Sequence, residues 1–167
     1  SRSSSADPLQ VLVLGDYLPS DTALQMNLLR EIADELRNVE LIVKPHPACP
    51  IVAADYPELT FKLVDQRLSD LFPYFDVAYT SSVTSSAIEA HIAGLKVITV
   101  LDPSTLNVSS VRGVAGVRFI SSSDTLRAAL CEAILPDDDV RERIRYFHVD
   151  SSLPRWRALL IDSLEQT

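Results

Sequence analysis

The chain has 167 residues, of which 47% are apolar, and a formal net charge of −8 at pH 7. This length is enough for one domain with a hydrophobic core, and the sequence contains no apolar run long enough to cross a bilayer. The negative charge argues against a general nucleic-acid-binding protein, which would need a basic face. It still permits a small anionic ligand held by one or two cations and by backbone dipoles.

The two cysteines and the first eight residues bear on the setting of the protein. Cys49 and Cys131 match no metal-binding spacing, and free thiols in a reducing cytoplasm are favoured over a disulfide. Residues 1–8 lack the features of a signal peptide and are typical of a linker or a cloning remnant. We therefore expect one domain over residues 9–167, cut from a longer protein.

Apolar runs alternate along the chain with segments of helical periodicity. The first helix is predicted to begin with Asp21 as its N-cap. Strands are predicted at 9–15, 41–45, 60–65, 76–81, 96–101 and 117–120. Helices are predicted at 21–38, 68–75, 84–94 and 123–135, with further C-terminal helices within 137–165, the last of which carries Trp156.

The predicted strands are apolar throughout rather than alternating, which is typical of a parallel sheet covered by helices on both faces. We therefore expect an α/β, Rossmann-like fold with about six strands. In such sheets, ligands bind beyond the carboxyl ends of the strands. The sequence has neither a Gly-x-Gly-x-x-Gly after the first strand nor a Gly-Lys-Ser/Thr loop. Dinucleotide oxidoreductases and P-loop enzymes are therefore poorly supported.

The segment VKPHP follows the second predicted strand and places Lys44 and His46 at its carboxyl end. Pro45 and Pro47 fix their own φ angles and restrict the residues before them, so His46 is held in a preset direction. It could donate a hydrogen bond to a phosphate oxygen or act as an acid. A rigid turn that happens to contain a histidine is the alternative interpretation.

A cluster of hydroxyl groups follows the fourth predicted strand, and we call residues 80–86 the hydroxyl segment. Its members are Thr80, Ser81, Ser82, Thr84, Ser85 and Ser86. The next helix begins near Thr84, and a helix N-terminus with added hydroxyls makes a phosphate site. Simple N-capping is the alternative, but one hydroxyl would satisfy it.

Two carboxylates are further candidates. Glu89 lies one helical turn beyond Ser85 and could accept both hydroxyls of a ribose, although an isolated glutamate is more often solvated. Asp16 follows the first strand at the same edge of the sheet. It is a weak candidate, because Gly-Asp is common in turns.

VKPHP and the later TSSAIEAHIAGLKVITV together resemble the nucleotide-binding half of GT-B glycosyltransferases. The similarity extends over nearly the whole chain after residue 8. It is greatest to bacterial surface-carbohydrate and capsule enzymes, including sialyltransferase-like and polysialyltransferase-like proteins. FHVDSSLPRWRALL resembles the end of a group of surface carbohydrate biosynthesis proteins. One departure is Lys96, which stands where the family usually has a proline after Gly-Leu or Gly-Ile.

The resemblance implies a role for each matching residue. His46 and Pro47 match the family's His-Pro element, whose histidine contacts the donor phosphate and is the catalytic candidate. Thr84 and Ser85 match the pair that binds the same phosphate, and Glu89 matches the glutamate that holds the ribose. The expected donor-binding set is completed by neighbours of these residues, Lys44 and Ser86. The catalytic base is expected in the other, N-terminal half.

The sequence thus predicts one half of a GT-B fold that binds the nucleotide-sugar donor, with a CMP-sugar favoured, in bacterial surface polysaccharide synthesis. The donor is a substrate, and the interpretation requires no cofactor or metal because no carboxylate cluster is evident at the site. The glycan or lipid-linked acceptor is expected to bind through the missing half. No nucleic acid is expected as a partner, and the cytoplasmic full-length protein could associate with the inner membrane face. The alternatives are a CDP-polyol phosphotransferase domain and a non-catalytic Rossmann-like scaffold.

Overall fold

The computed structural model describes residues 7–134 and residue 154. Its strands are β1 (Leu9–Leu14), β2 (Val39–Lys44), β3 (Phe61–Leu63), β4 (Val77–Ser81), β5 (Lys96–Val100) and β6 (Val117–Ile120). Its α-helices are α1 (Pro19–Glu31), α2 (Leu68–Leu71), α3 (Ser86–Ala93) and α4 (Ser123–Ile134). Short 3₁₀-helices occupy Ala33–Asn38, Ala53–Asp55 and Phe72–Tyr74.

All six strands form one sheet in the order β3-β2-β1-β4-β5-β6, and every neighbouring pair is parallel. The predicted α/β, Rossmann-like fold is therefore confirmed, including the place of each strand in the chain. The chain runs outward from β1 through β2 to β3, and then returns to the other side of β1 with β4. The sheet thus has its topological switch point between β1 and β4, where open α/β sheets bind ligands.

Residues 11–14 of β1 alternately enter two different hydrophobic cores, which explains why the strand is apolar apart from Gln10. Val11 and Val13 face a core that includes residues of α1 and α4, whereas Leu12 and Leu14 face a core that includes residues of α3. Helices therefore cover both faces of the sheet, as predicted. Leu9, Val11, Leu12, Val13 and Leu14 are all buried.

Several predicted boundaries are wrong. The first helix begins at Pro19 rather than after Asp21, which lies within the first turn. Its N-cap position is Leu18, which makes no side-chain capping hydrogen bond, and the Leu18 N–H donates to the Asp16 carboxylate at 2.9 Å in the turn before the helix. The α-helix ends at Glu31, and residues 33–38 continue as a 3₁₀-helix after the non-helical backbone of Ile32.

The next helices differ less. Helix α3 begins at Ser86 instead of near Thr84, and it ends at Gly94, which adopts the left-handed conformation expected of a C-cap. The short helix predicted at 68–75 is interrupted before Pro73, as expected, and is split into α2 and a 3₁₀ turn. The predicted helices within 137–165, including Trp156, lie outside the described residues.

The structure describes both cysteines and the completely buried Tyr79. Cys49 is buried and Cys131 is exposed, and both are free thiols. Tyr79 is completely buried, and burial raises the pKa of its hydroxyl. This hydroxyl donates to the backbone carbonyl of Gln25 at 3.2 Å, linking β4 to α1. Among the described helices, none is long and apolar enough to span a bilayer.

Replacing Leu29 with alanine should lower the free energy of unfolding by about 2–5 kcal/mol, because Leu29 is 0% exposed within the core beneath α1. Chemical denaturation monitored by circular dichroism would measure the change. Leu106→Ala is the matched control, since Leu106 is 83% exposed and its truncation should change stability by less than about 0.5 kcal/mol. Equal effects of the two substitutions would contradict the core assignment.

Candidate functional site

The carboxyl ends of β2, β1 and β4 lie side by side. Leu14, near the end of β1, is in register with Lys44 on one side and with Thr80 on the other. Because neighbouring strands are about 4.8 Å apart, the ends of β2 and β4 are separated by roughly 9–10 Å, with β1 between them. This spacing suits a phosphate group bound between loops that leave both strands. The VKPHP turn and the hydroxyl segment therefore share one edge, as predicted.

His46 is exposed, and its ring is held by the turn that contains it. The imidazole Nδ1 accepts the backbone N–H of Ala48 at 3.1 Å, while the His46 carbonyl accepts the N–H of Cys49 at 2.9 Å. A nitrogen that accepts a hydrogen bond carries no proton, so the proton of the neutral ring is on Nε2. Pro45, Pro47 and the turn thus present an Nε2–H donor rather than a freely rotating ring.

Tyr17 contacts this imidazole from the loop after β1. The two ring centroids are 6.2 Å apart at an interplanar angle of 65°, which is an edge-on arrangement favourable to aromatic pairs. Tyr17 is 53% exposed, so one side of its ring faces solvent at the carboxyl edge. Sequence analysis did not single out Tyr17. Its only signal was an aromatic residue directly after a strand-ending Gly-Asp.

Gly15 allows the ends of β1 and β2 to approach each other closely. A Cβ atom at this position would lie 3.2 Å from the His46 backbone nitrogen and 3.3 Å from the Pro45 Cα. The Gly15 N–H donates to the Lys44 carbonyl at 3.0 Å. The VKPHP turn is therefore packed directly against the end of β1, where backbone atoms leave little room for a side chain.

Lys44 is half-buried and has a structural contact. Its ammonium group donates to the backbone carbonyl of Asp65 at 3.1 Å, and Asp65 follows β3. This bond draws the Lys44 side chain toward the loop after β3, on the side of β2 away from β1. The role of Lys44 in donor binding stays a prediction, as does that of Pro47, which is exposed in the turn.

The hydroxyl groups of the hydroxyl segment have different hydrogen-bond partners. Thr80 is buried and bonds Thr99 of β5 at 3.0 Å, so it serves the sheet. Ser81 is buried and donates to the Asp16 carboxylate. Thr84 accepts the Ser86 N–H at 3.3 Å, and the hydroxyls of Thr84 and Ser86 are 2.7 Å apart. The abundance of hydroxyls is thus partly structural, which the sequence interpretation did not separate.

Ser85 differs from these neighbours. It occupies the N-cap position of α3 and is exposed, yet its hydroxyl makes no capping hydrogen bond. Its carbonyl accepts the N–H groups of Ile88 at 3.0 Å and Glu89 at 3.4 Å, which starts the helix. Because Thr84 supplies the side-chain contact to the first turn, the Ser85 hydroxyl is available for a ligand at the positive end of the helix.

Asp16 is a buried carboxylate at the switch point. It is only 1% exposed, and one of its oxygens accepts the Leu18 N–H while the other accepts the Ser81 hydroxyl. Its own N–H donates to the Thr22 hydroxyl at 3.0 Å. The weak candidate of the sequence analysis is therefore an internal hydrogen-bond acceptor that links β1, α1 and β4.

Glu89 is exposed in the first half of α3, one turn beyond Ser85. The helix thus carries the carboxylate on the same segment as the open hydroxyl, as predicted. His91 is half-buried and was not assigned a role. Contact of Glu89 with a ribose stays a prediction.

Asp102 follows β5 at the same edge and has a perturbed carboxyl group. The hydroxyl and the backbone N–H of Ser104 both donate to it, at 2.7 and 2.8 Å, and these bonds lower the pKa of Asp102. Since the folded state favours the ionised form, this contribution to stability is present at neutral pH and is lost as the pH falls through the lowered pKa.

Within residues 7–134, no three His, Cys, Asp or Glu side chains are grouped so that they could hold a metal ion.

Comparisons with known proteins bear on the fold. No family model and no curated protein matches the chain. Among solved structures, KpsC from Thermosulfurimonas dismutans, a β-Kdo 2,7 transferase, is 18% identical with a TM-score of 0.52 over 73% of this chain. The glycotransferase of kitacinnamycin is 20% identical with a TM-score of 0.57 over 84% of this chain. At these identities the likeness establishes the Rossmann-like fold of GT-B glycosyltransferases.

The share of the matched chains is also informative. This chain spans 42% of the KpsC chain and 38% of the kitacinnamycin glycotransferase chain. The NMR structure of ALG13, by contrast, is covered over 94% of its length, with 12% identity and a TM-score of 0.52. The described fold therefore corresponds to less than half of the first two proteins and to nearly all of the third.

The neutral His46 ring should be the Nε2–H tautomer, because Nδ1 accepts the Ala48 N–H. Long-range ¹H–¹⁵N NMR spectra, recorded above the ordinary titration range of histidine, would show one unprotonated nitrogen at Nδ1 and one protonated nitrogen at Nε2. His91 serves as the internal reference. A protonated Nδ1 in neutral His46 would show that the turn does not aim an Nε2–H donor outward.

Proposed function

We propose that this chain is the donor-nucleotide domain of a GT-B glycosyltransferase that acts in bacterial surface polysaccharide synthesis, with a CMP-sugar as the favoured donor. The observation that carries the proposal is the placement of two open donors on either side of the switch point. His46 presents Nε2–H after β2, and Ser85 presents an unused hydroxyl at the start of α3. Both are hydrogen-bond donors suited to phosphate oxygens.

The proposed chemistry is inverting transfer, in which the domain stabilises the departing phosphate. Ser85, Thr84 and the N-terminus of α3 bind the phosphate that leaves with the nucleotide, and the Nε2–H of His46 donates a hydrogen bond to it. Glu89, one turn along the same helix, accepts the ribose hydroxyls. These donors favour the transition state when negative charge accumulates on the phosphate as the bond to the sugar breaks.

The proposal assigns the acceptor and the catalytic base to another part of the protein. Support comes from the two transferase chains of which this chain spans 42% and 38%. One of them, KpsC, is described as a β-Kdo 2,7 transferase, which favours a transferase over a scaffold. We place the full-length protein in the bacterial cytoplasm, at the inner face of the membrane where a lipid-linked or glycan acceptor would be found.

Replacing Ser85 with alanine should weaken CMP binding by about 10- to 150-fold if its hydroxyl makes a full charge-assisted bond of roughly 1.5–3 kcal/mol. NMR shift perturbation or calorimetry on the 167-residue chain would measure the affinity. Wild type should itself bind weakly, because half of the cleft is supplied elsewhere. Ser121→Ala is the matched control, since Ser121 is exposed and follows β6 at the far edge of the sheet.

Three nucleotides separate the proposal from its alternatives. Tighter binding of CMP than of CDP and UDP supports a CMP-sugar donor, whereas a preference for CDP would favour a polyol-phosphate transferase. Failure of all three to bind would favour a scaffold without a ligand. Equal CMP affinities of wild type, Ser85→Ala and Ser121→Ala would mean that the hydroxyl segment only begins a helix.

His46→Ala should lower kcat of the full-length enzyme by about 10²–10³-fold with a smaller change in KM, since a donor to developing charge acts mainly in the transition state. His46→Gln, which keeps an N–H donor but cannot transfer a proton, should recover part of the loss if hydrogen bonding dominates. Steady-state kinetics would measure both variants. A rise in KM at unchanged kcat would instead assign His46 to ground-state binding.

A further inference from the structure

We infer that the Asp16–Tyr17 turn after β1 positions the two sides of the proposed nucleotide site relative to each other. The inference rests on the proposed function and deepens it, because it assigns a role to residues that bind no ligand in that proposal. Asp16 holds the hydroxyl segment, and Tyr17 holds the imidazole of His46. The two residues are adjacent in the chain, so one short turn contacts both sides.

On one side, Asp16 contacts β4 through Ser81, and we call this contact the Asp16 arm. Its buried carboxylate accepts the Ser81 hydroxyl, and Ser81 is the last residue of β4, four residues before Ser85. The same carboxylate accepts the Leu18 N–H, and the Asp16 N–H donates to Thr22. Since the carboxylate is anchored to both β4 and the start of α1, it fixes the point from which the hydroxyl segment leaves the sheet.

Asp16 acts through its neighbours and not by touching the nucleotide. Both carboxylate oxygens already accept hydrogen bonds, and only 1% of the residue is exposed. Its contribution is therefore the placement of Ser81 and the segment that follows.

On the other side, Tyr17 contacts His46 in the turn after β2, and we call this contact the Tyr17 arm. Its ring and the His46 imidazole meet edge-on, and the imidazole Nδ1 accepts the Ala48 N–H. One hydrogen bond fixes Nδ1 but leaves the ring free to tilt about that contact, and the tyrosine ring restricts this tilt. The direction of the Nε2–H donor therefore depends on Tyr17. The packing of Gly15 against the Pro45 and His46 backbone brings the two rings into reach.

The Tyr17 arm predicts a specific set of affinities. Tyr17→Ala should weaken CMP binding by about three- to tenfold, the range of one lost aromatic pair, whereas Tyr17→Phe should bind like wild type because it keeps the ring. Tyr74→Ala is the matched control: Tyr74 is 64% exposed and lies just before β4, at the opposite edge of the sheet. Equal affinities of Tyr17→Ala and wild type would overturn the inference, as would an equal loss in Tyr74→Ala.

The Asp16 arm is tested from its partner. Ser81→Ala removes the hydroxyl that Asp16 accepts and should weaken CMP binding by about three- to tenfold, with amide shift changes at Ser85 and Glu89. Thr80→Val is the control, because it removes the buried hydrogen bond between the Thr80 and Thr99 hydroxyls at the adjacent position of the sheet. A loss of affinity in Thr80→Val as large as in Ser81→Ala would overturn the Asp16 arm, since general loosening would then explain both.

A ligand-free measurement separates this inference from the proposed function. The ¹H and ¹³C resonances of the His46 ring should shift in Tyr17→Ala and stay in place in Tyr17→Phe and Tyr74→Ala. If wild type binds none of CMP, CDP and UDP, the proposed function fails, and the positioning of His46 is still judged by these resonances. Unchanged His46 resonances in Tyr17→Ala would overturn the inference whether or not a nucleotide binds.

Discussion

The parallel pairing of β1 with both β2 and β4 is the constraint on which the candidate site depends. Because Leu14 is in register with Lys44 and with Thr80, the loops that follow these strands begin at the same height on one edge. Segments more than 30 residues apart in the chain are thereby brought within about two strand spacings. Open α/β sheets bind ligands at such a reversal of strand order, which here lies between β1 and β4.

Buried polar groups lie beneath the switch point and bond the end of β1. Thr22 and Gln25 on α1 are buried, and they bond the Asp16 backbone and the Leu14 carbonyl, respectively. Buried polar side chains are costly unless they are hydrogen-bonded. These two are bonded to the backbone at and just after the end of β1. The Gln25 Oε1 atom is buried without a partner among the described residues.

The fold was predictable because most strands are short, mainly apolar runs between turn residues, a signal that depends only on local sequence. Local sequence predicted less well where a side chain acts at a distance. Asp21 was favoured as the N-cap because it precedes an apolar stripe, but the helix begins at Pro19, after a turn in which Leu18 donates its N–H to Asp16. The hydroxyl segment looked uniform, yet Thr80 bonds Thr99 of β5 and Ser81 bonds Asp16 after β1, partners that no spacing rule identifies. Tyr17 and His46 are 29 positions apart, so their contact exists only once β1 and β2 are paired.

The proposed site would bind an anion with few charges of its own. The chain has a net charge of −8, Lys44 already donates to Asp65, and the open donors are an imidazole N–H, a hydroxyl and a helix N-terminus. Such donors act over short distances and require correct geometry, whereas a cluster of lysines would attract any polyanion. Selectivity for one nucleotide would then depend on how well the loops after β1, β2 and β4 keep their relative positions. In this arrangement a buried carboxylate beside a phosphate site is not a contradiction, because its role is to fix the donors that the phosphate meets.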